Sequence, residues 1–500
     1  MNLMLVFIGM VVASVSWLVT DASRRLALRF GASDEPRGGR KIHAQATPLF
    51  GGVGIGIVLI GAIVFGATQG GLVGGGIHLT QLVGFCVAIA LLVIGGALDD
   101  RFDLPPWVQI WFPIAAALIV IASGTTITRL THPTGHGVWS LGVFSSFATL
   151  VWLLGVTYAT KFMDGLDGLV AGETVIGAGL IVLLSLSAAY YQPAVAFLAM
   201  IVLAAYAGFL PVNLFPAKQF LGEAGSTLAG FALGFLAIVS GAKVATAFMA
   251  IGIPLVDLSL VILGRLVRRQ SPFRGDQTHL HFKLLRLGLS QRQVVAIFWS
   301  LALIFGAAAL EAQTQGKLFL VGTLIATTLF LSLLTGFVKP TTPIRRQGII
   351  LVLALVTGCV LLFISQSLRP SSPKLHPPVT QQIMVHGKSL ELEVVSSPED
   401  RAQGLSDRPM MAMNHGMLFV FEKPGLYAFW MPRMHFPLDI IWLNRGTIVD
   451  IVTLAPPRGT EPPVSHTPRA AADTVLELVA GSTQAYGLKV GDHLATLSFP

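Results

Sequence analysis

From residue 2 to residue 366 the chain is a succession of apolar runs separated by short polar segments. A helix needs about 20 apolar residues to cross the hydrocarbon core of a bilayer. The runs predict twelve spans, near 2–20, 51–68, 80–98, 106–123, 146–160, 169–190, 193–210, 224–240, 243–265, 294–311, 317–336 and 347–366. The pattern changes beyond residue 380. LELEVV, GMLFVF, LDIIWLN, TIVDIV, TVLELV and HLATLSF are short β-branched or aromatic runs separated by Gly, Pro, Asn and Asp, the signature of strands. Between the two regimes, Arg369 to Pro378 is rich in Pro and Ser, which favours an extended spacer. The fold class expected is an all-α polytopic membrane protein of eleven to twelve transmembrane helices with a small C-terminal, mainly-β soluble domain. The expected division is 1–367, a 368–379 linker and 380–500.

Composition sharpens this picture. Of the 500 residues, 53% are hydrophobic and 12% charged, where soluble domains carry about a quarter of their residues as charges. The net charge of +8 resides largely in short loops, as membrane orientation requires, so no nucleic acid is expected as a partner. Arg24, Arg25, Arg37, Arg40, Lys41, Arg101, Lys218, Arg265, Arg274, Lys283 and Arg345 fall on one side, with little beyond Arg129, Lys243 and Lys317 on the other. The positive-inside rule makes the richer side cytoplasmic, and an even number of spans then places the C-terminal domain outside. The first run lacks a basic leader and is followed by Arg24 and Arg25, so it reads as a retained span. Cys86 and Cys359 both lie in apolar runs and are assigned to packing.

Four polar clusters fall at the predicted cytoplasmic boundary. The first, Asp34-Glu35-Pro36 with Arg40-Lys41-Ile42-His43 and Thr47-Pro48-Leu49-Phe50-Gly51-Gly52, offers cations, a hydroxyl and glycines through which backbone N–H groups approach an anion. A basic anchor followed by a turn is the plainer alternative. The second, Asp99-Asp100-Arg101-Phe102-Asp103-Leu104-Pro105-Pro106, ends an apolar helix on hard oxygen ligands suited to magnesium. The third, Phe162-Met163-Asp164-Gly165-Leu166-Asp167-Gly168, sets two carboxylates three apart, neighbours on a helical face. The fourth joins Asn213 to Ser226, with Lys218 and Glu223, to Ser271 through His281, with Arg274, His279 and His281. The two histidines share a face in an extended loop and diverge in a helix. Carboxylates, cations and glycines converging on one membrane face point to polyanion chemistry with a divalent cation.

Together, RKIH…TPLFGG, GALDDRFDLPP, FMDGLDGL, NLFPAKQFLGEAGS and SPFRGDQTHLH resemble the polyprenyl-phosphate N-acetylhexosamine-1-phosphate transferases of bacterial envelope synthesis, over about residues 1–300. The resemblance implies transfer of a sugar-1-phosphate from a UDP-N-acetylhexosamine, GlcNAc foremost, to undecaprenyl or related polyprenyl phosphate. UMP would be released, with Mg2+ or Mn2+ on the pyrophosphate. It implies that Asp99 and Asp100 act on the lipid phosphate, and that Asp164, Asp167 and Glu223 hold metal and nucleotide. Lys41, His43, Thr47, Lys161, Arg274, His279 and His281 would contact phosphates or nucleotide. Expected partners are those two substrates and the lipid bilayer, with a homodimer allowed, and the expected location is the cell inner membrane with a cytoplasmic site.

The chain departs from the family pattern where Lys161 and Tyr158 replace Asn, where Glu223 replaces Asp, and where Phe282 replaces a third His. Glu223 keeps the charge and adds a methylene while Lys161 adds a cation, which suggests a compensating Lys161 to Glu223 ion pair. A catalytically impaired relative that binds polyprenyl phosphate or regulates a partner, and a membrane transporter, are the rival classes. The tail resembles a family of small uncharacterised β-rich domains through RAQGLSDRP, FWMPRMHFPLDIIWL and VLELVAGSTQAYGLKVGD. Its His415, His435, Asp439 and His466 lack compact metal-ligand spacing, and Phe429, Trp430, Met431, Phe436 and Trp442 fit a core.

Overall fold

The computed structural model describes residues 3–35, 46–69, 72, 77–131, 138–187, 192–241, 244–270, 278–312, 314–337, 358, 379–395, 401, 404–431, 434–456 and 465–494. It divides into two compact units, Met1–Arg369 and Pro370–Pro500.

In chain order the first unit comprises α1 (Leu3–Phe30), β1 (Ser33–Asp34), β2 (Thr47–Pro48), α2 (Gly51–Thr68), α3 (Leu79–Phe102), α4 (Pro106–Gln109), α5 (Trp111–Ala122), β3 (Arg129–Thr131) and β4 (Val138–Ser140). It continues through α6 (Ser145–Met163), α7 (Leu169–Leu186), α8 (Pro193–Asn213), α9 (Gly222–Val239), α10 (Val244–Val267), α11 (Leu280–Arg286), α12 (Gln291–Glu311) and α13 (Thr314–Phe337). Among the described residues nine helical segments are long and apolar enough to cross a membrane, and Pro106–Ala122 is a shorter apolar one. Eleven of the twelve predicted spans thus coincide with helices; the twelfth, near 347–366, the linker and Cys359 lie outside the described residues.

Helix α9 is the axis of the unit: 89% of its most apolar window is buried, against 28% for α1 and α13. In a bilayer, water does not drive helices together, so close backbone approach through small residues does more of the work. A Cβ placed on Gly52 of α2 would lie 2.0 Å from Gly225 N, one on Gly96 of α3 would lie 2.3 Å from Ala224 Cα, and one on Gly230 would meet Val156 O of α6 at 2.4 Å. Three neighbouring helices therefore touch α9 at glycines. The Gly51 and Gly52 N–H groups donate to Phe220 O and Leu221 O at 3.1 and 2.8 Å. That corrects the expectation that these glycines open the backbone to an anion: they seat the start of α2 against the start of α9.

The second unit contains β5 (Val379–Val385), β6 (Lys388–Val395), β7 (His415–Gly425), β8 (Phe429–Trp430), β9 (Leu438–Asn444), β10 (Thr447–Leu454), β11 (Ser465–His466), β12 (Ala472–Val479) and α14 (Ser482–Tyr486). Six strands form one sheet in the order β10-β9-β12-β7-β6-β5. Only the β6–β7 pair is parallel. Alternate residues feed two apolar layers, Leu392, Leu418, Ile441 and Leu476 on one face and Phe419, Ile440, Trp442 and Val475 on the other. Phe429 meets Trp442 edge to face at 5.9 Å, and Phe429, Met431, Phe436 and Trp442 belong to the core. Asp439 is fully buried and accepts hydrogen bonds from Thr453 Oγ1, Thr483 N and Thr483 Oγ1, which tie α14 to the sheet. His466 is spent on Asp450, 3.1 Å away.

Candidate active site

The end of α3 carries the two adjacent carboxylates. Asp103 closes the helix in the left-handed region at φ 52°, its N–H donating to Asp99 O at 2.8 Å, and Leu104-Pro105-Pro106 turns the chain into α4. That turn brings Gln109 back to Asp99. Asp99 Oδ1 accepts from Leu104 N at 2.9 Å and from Gln109 Nε2 at 2.8 Å. Asp100 points the other way: its Oδ1 accepts from Glu223 N at 2.8 Å, and its Oδ2 is buried with no partner among the described residues. A Cβ at Gly222 would fall 2.3 Å from that Oδ2, and Gly222 has φ +70°. Glycine is demanded there twice, by conformation and by the carboxylate.

Lys161 closes the network. From the last turn of α6 its Nζ lies 2.5 Å from Glu223 Oε1 and 2.9 Å from Gln109 Oε1, and 5.7 Å from the centre of the Tyr158 ring. The ion pair expected from the departures at positions 161 and 223 is present. Gln109, a lone polar residue after a proline pair, was not among the sequence candidates; it joins Asp99 to Lys161. A cavity of about 10 Å³, room for about one water molecule, lies among Asp99, Gln109, Glu223 and Thr227.

Asp164 and Asp167 do not share a helical face. Helix α6 stops at Met163, Gly165 N donates back to Met163 O, and Gly168, at φ +80°, starts α7. The carboxylates sit on the turn between the two helices because the glycines break the helix that three-residue spacing alone suggested. Asp167 Oδ2 accepts from Ala217 N at 2.9 Å, and Gly168 N donates to Asn213 Oδ1 at 3.1 Å, so the turn is moored to the 213–221 loop. The N–H of Asp164 donates to Lys161 O, but its carboxylate accepts no hydrogen bond among the described residues. Desolvation, then the charges of Glu223 and Asp167, push it up to about 8.

His279 caps α11 in an extended conformation, which keeps its ring beside that of His281, 5.9 Å away and within 9° of parallel. The His281 Nε2 is buried without a partner among the described residues and would lie 2.8 Å from a Cβ on Gly165. Burial first and the charge of His279 second lower His281 to about 3. Phe282 also packs over Gly165. Thr47 is buried in β2, which pairs with β1, rather than facing an open site. Lys41, His43 and Arg274 lie outside the described residues.

Among the described residues no three of His, Cys, Asp and Glu form a ready-made metal cage. Among the described residues the charge balance nonetheless favours a cation: Asp99, Asp100, Asp164, Asp167 and Glu223 act on one another as like charges, with Lys161 paired to Glu223. Asp100 Oδ2 is buried and uncommitted, and the Asp164 carboxylate accepts no hydrogen bond among the described residues. Magnesium is commonly held by one or two carboxylates completed by substrate phosphates and water, which this donor set fits.

Residues 82–241 match the family described as glycosyl transferase family 4, and residues 381–496 match one described as uncharacterized ACR. A Bacillus subtilis (strain 168) protein named "Probable undecaprenyl-phosphate N-acetylglucosaminyl 1-phosphate transferase" is 29% identical over 331 residues, 64% of this chain and 89% of the relative. The decaprenyl-phosphate N-acetylglucosaminephosphotransferase of Mycobacterium tuberculosis (strain ATCC 25618 / H37Rv) is 32% identical over 334 residues, 61% of this chain and 82% of the relative. A solved protein of unknown function from Novosphingobium aromaticivorans matches 23% of this chain and 81% of its own, at 27% identity and a TM-score of 0.20. With these helices, these motifs in this order and that extent of shared sequence, the chain is a membrane protein that belongs to glycosyl transferase family 4.

Proposed function

We propose that the protein transfers N-acetylglucosamine-1-phosphate from UDP-N-acetylglucosamine to undecaprenyl or a related polyprenyl phosphate, releasing UMP, in cell-envelope polysaccharide synthesis. The observation that carries this reading is the polar network that joins Asp99, Gln109, Lys161, Glu223 and Asp100 across α3, α4, α6 and α9. Three separate elements, α3, α6 and α9, deliver charge to one place, at helix ends rather than at mid-depth where a transport path would run, and α4 adds the bridging amide of Gln109.

In the reaction a lipid phosphate oxygen attacks the β-phosphorus of the UDP-sugar, and the bond from that phosphorus to the bridging oxygen breaks and leaves with UMP. Such a step depends on positioning and charge neutralisation. Asp99, oriented by Leu104 N and Gln109, would align the lipid phosphate or take its proton. Asp164, with the oxygens that Asp100 and Asp167 leave uncommitted, would hold Mg2+, which when bound neutralises the diphosphate. Glu223 gives Oε1 to Lys161 and would offer the cation its other oxygen. Lys161, Lys41, His43, Arg274 and the two histidines would meet phosphates or nucleotide. The site is read as cytoplasmic and the C-terminal unit as extracytoplasmic, in the inner membrane.

The deciding experiment is UMP release by the purified protein in detergent with undecaprenyl phosphate, UDP-N-acetylglucosamine and magnesium, beside Asp99→Asn. Release that the variant loses supports the transferase. The Lys161–Glu223 pair favours one second reading, a relative that binds polyprenyl phosphate without turnover; retained lipid binding with no UMP from any UDP-N-acetylhexosamine would select it.

A further inference from the structure

Asp257 belongs to none of the sequence motifs. It lies within α10, 5% exposed, inside the apolar run PLVDLSLVIL. A carboxylate in a span is expensive unless it is partnered, and both oxygens of Asp257 are used on one short segment. Oδ2 lies 2.8 Å from His279 Nδ1, and Oδ1 accepts from Leu280 N at 3.0 Å. A carboxylate oxygen accepts, so Nδ1 carries the hydrogen, and the bond made by one ring nitrogen decides the state of the other. Among the described residues Nε2 of His279 has no hydrogen-bond partner.

The ring also has two aromatic neighbours. Phe162 stacks on it at 5.8 Å and 17°, and His281 at 5.9 Å and 9°. Phe162 is two residues before Asp164, and His281 abuts Gly165. Thus a buried carboxylate on α10 fixes a histidine whose two stacking partners border the Asp164–Asp167 turn.

We propose that Asp257 is a positioning residue for the transfer step: through its bond to Nδ1 it orients the His279 ring and leaves Nε2, a hydrogen-bond acceptor, to meet a hydroxyl of the UDP-sugar. The inference rests on the transferase reading above. Asp257 touches no substrate and acts only through His279.

A double-mutant cycle tests it, with UMP release measured for the wild type, Asp257→Asn, His279→Gln and the double variant. Asp257→Asn is expected to lower kcat/KM by about 10- to 100-fold, the usual loss when the partner of a functional histidine is removed. In the His279→Gln background the same change should cost less than about twofold. Equal losses in both backgrounds would overturn the proposal, since Asp257 would then act independently of His279. Asp257→Glu should restore part of the loss. Nitrogen-15 NMR of the His279 side chain supplies a readout independent of turnover: Nδ1 protonated in the wild type, a mixture of tautomers in Asp257→Asn. An unchanged His279 signature in a folded Asp257→Asn protein overturns the proposal. If the wild type releases no UMP, the transferase reading fails, while the NMR comparison still decides whether Asp257 sets the ring.

Discussion

Lys161 Nζ and Glu223 Oε1 stand 2.5 Å apart, with both side chains only 17% exposed. Breaking such a pair by removing one partner typically costs about 3–5 kcal/mol when it is well buried, because the other charge is left uncompensated. The two residues should therefore behave as a unit. Lys161→Asn and Glu223→Asp are each expected to lower UMP release at least about tenfold, with the double variant recovering part of the loss. Strictly additive effects in initial-rate assays would sink the coupling.

Gln109 is expected to matter although it is uncharged. It donates to Asp99 and accepts from Lys161, so Gln109→Leu removes one hydrogen bond from each of two charged groups, a bond to a charged group being worth about 1.5–3 kcal/mol. A fall in kcat exceeding the change in KM is the expected result; wild-type kinetics would show that the bridge is incidental.

Chelation should stop the reaction. Removal of divalent cations with EDTA is expected to abolish UMP release, and Mg2+ or Mn2+ to restore it. Full activity after exhaustive chelation would remove the cation from the reading and leave Lys161 as the neutralising charge.

Gly96→Ala should damage folding and site together. The added methyl would meet Ala224 Cα at 2.3 Å, next to Glu223, and overpacking of this kind costs about 1–3 kcal/mol. Thermal unfolding in detergent should report a lower Tm, together with reduced activity in whatever protein remains folded; an unchanged Tm would mean that α3 and α9 can separate freely.

Glu477 gives the C-terminal unit a pH dependence. It is 5% exposed on β12, between Met417 and Ile440 in the sheet register, and burial pushes it up to about 8. The folded unit keeps the proton where the unfolded chain has lost it, so the stability contribution is full below about pH 4.5. It declines by at most about 1.4 kcal/mol per pH unit until about pH 8 and levels off above. Glu477→Gln should therefore melt above the wild type at pH 8 and close to it at pH 5. Identical melting differences at the two pH values would contradict the assignment.

Much of this was legible in the chain because a bilayer tolerates few exceptions. The apolar runs mark the spans, and charges at their ends mark one face. The Lys161–Glu223 pair was readable from an added cation and a lengthened carboxylate. Asp257 was not, since a single carboxylate in an apolar run carries no spacing signal and its partner lies 22 residues on. Gln109 was hidden for a similar reason, its role depending on the Pro-Pro turn that folds α4 back. The turn at Asp164–Asp167 was misread because helical spacing was weighed without the break that Gly165 and Gly168 impose. Strand β5, VTQQIMV, escaped notice because its paired glutamines interrupt the apolar run.

The burial gradient from α9 outward bears on how the protein meets membranes of unequal thickness. A bilayer that is too thick or too thin makes spans tilt, at fractions of a kcal/mol per Å. Helices gripped at glycines around α9 have little freedom to tilt, whereas α1 and α13 expose most of their surface. Elastic deformation from changes in lipid chain length or growth temperature should be absorbed at that periphery, leaving the carboxylate network at the end of α3 and the start of α9 dimensionally constant.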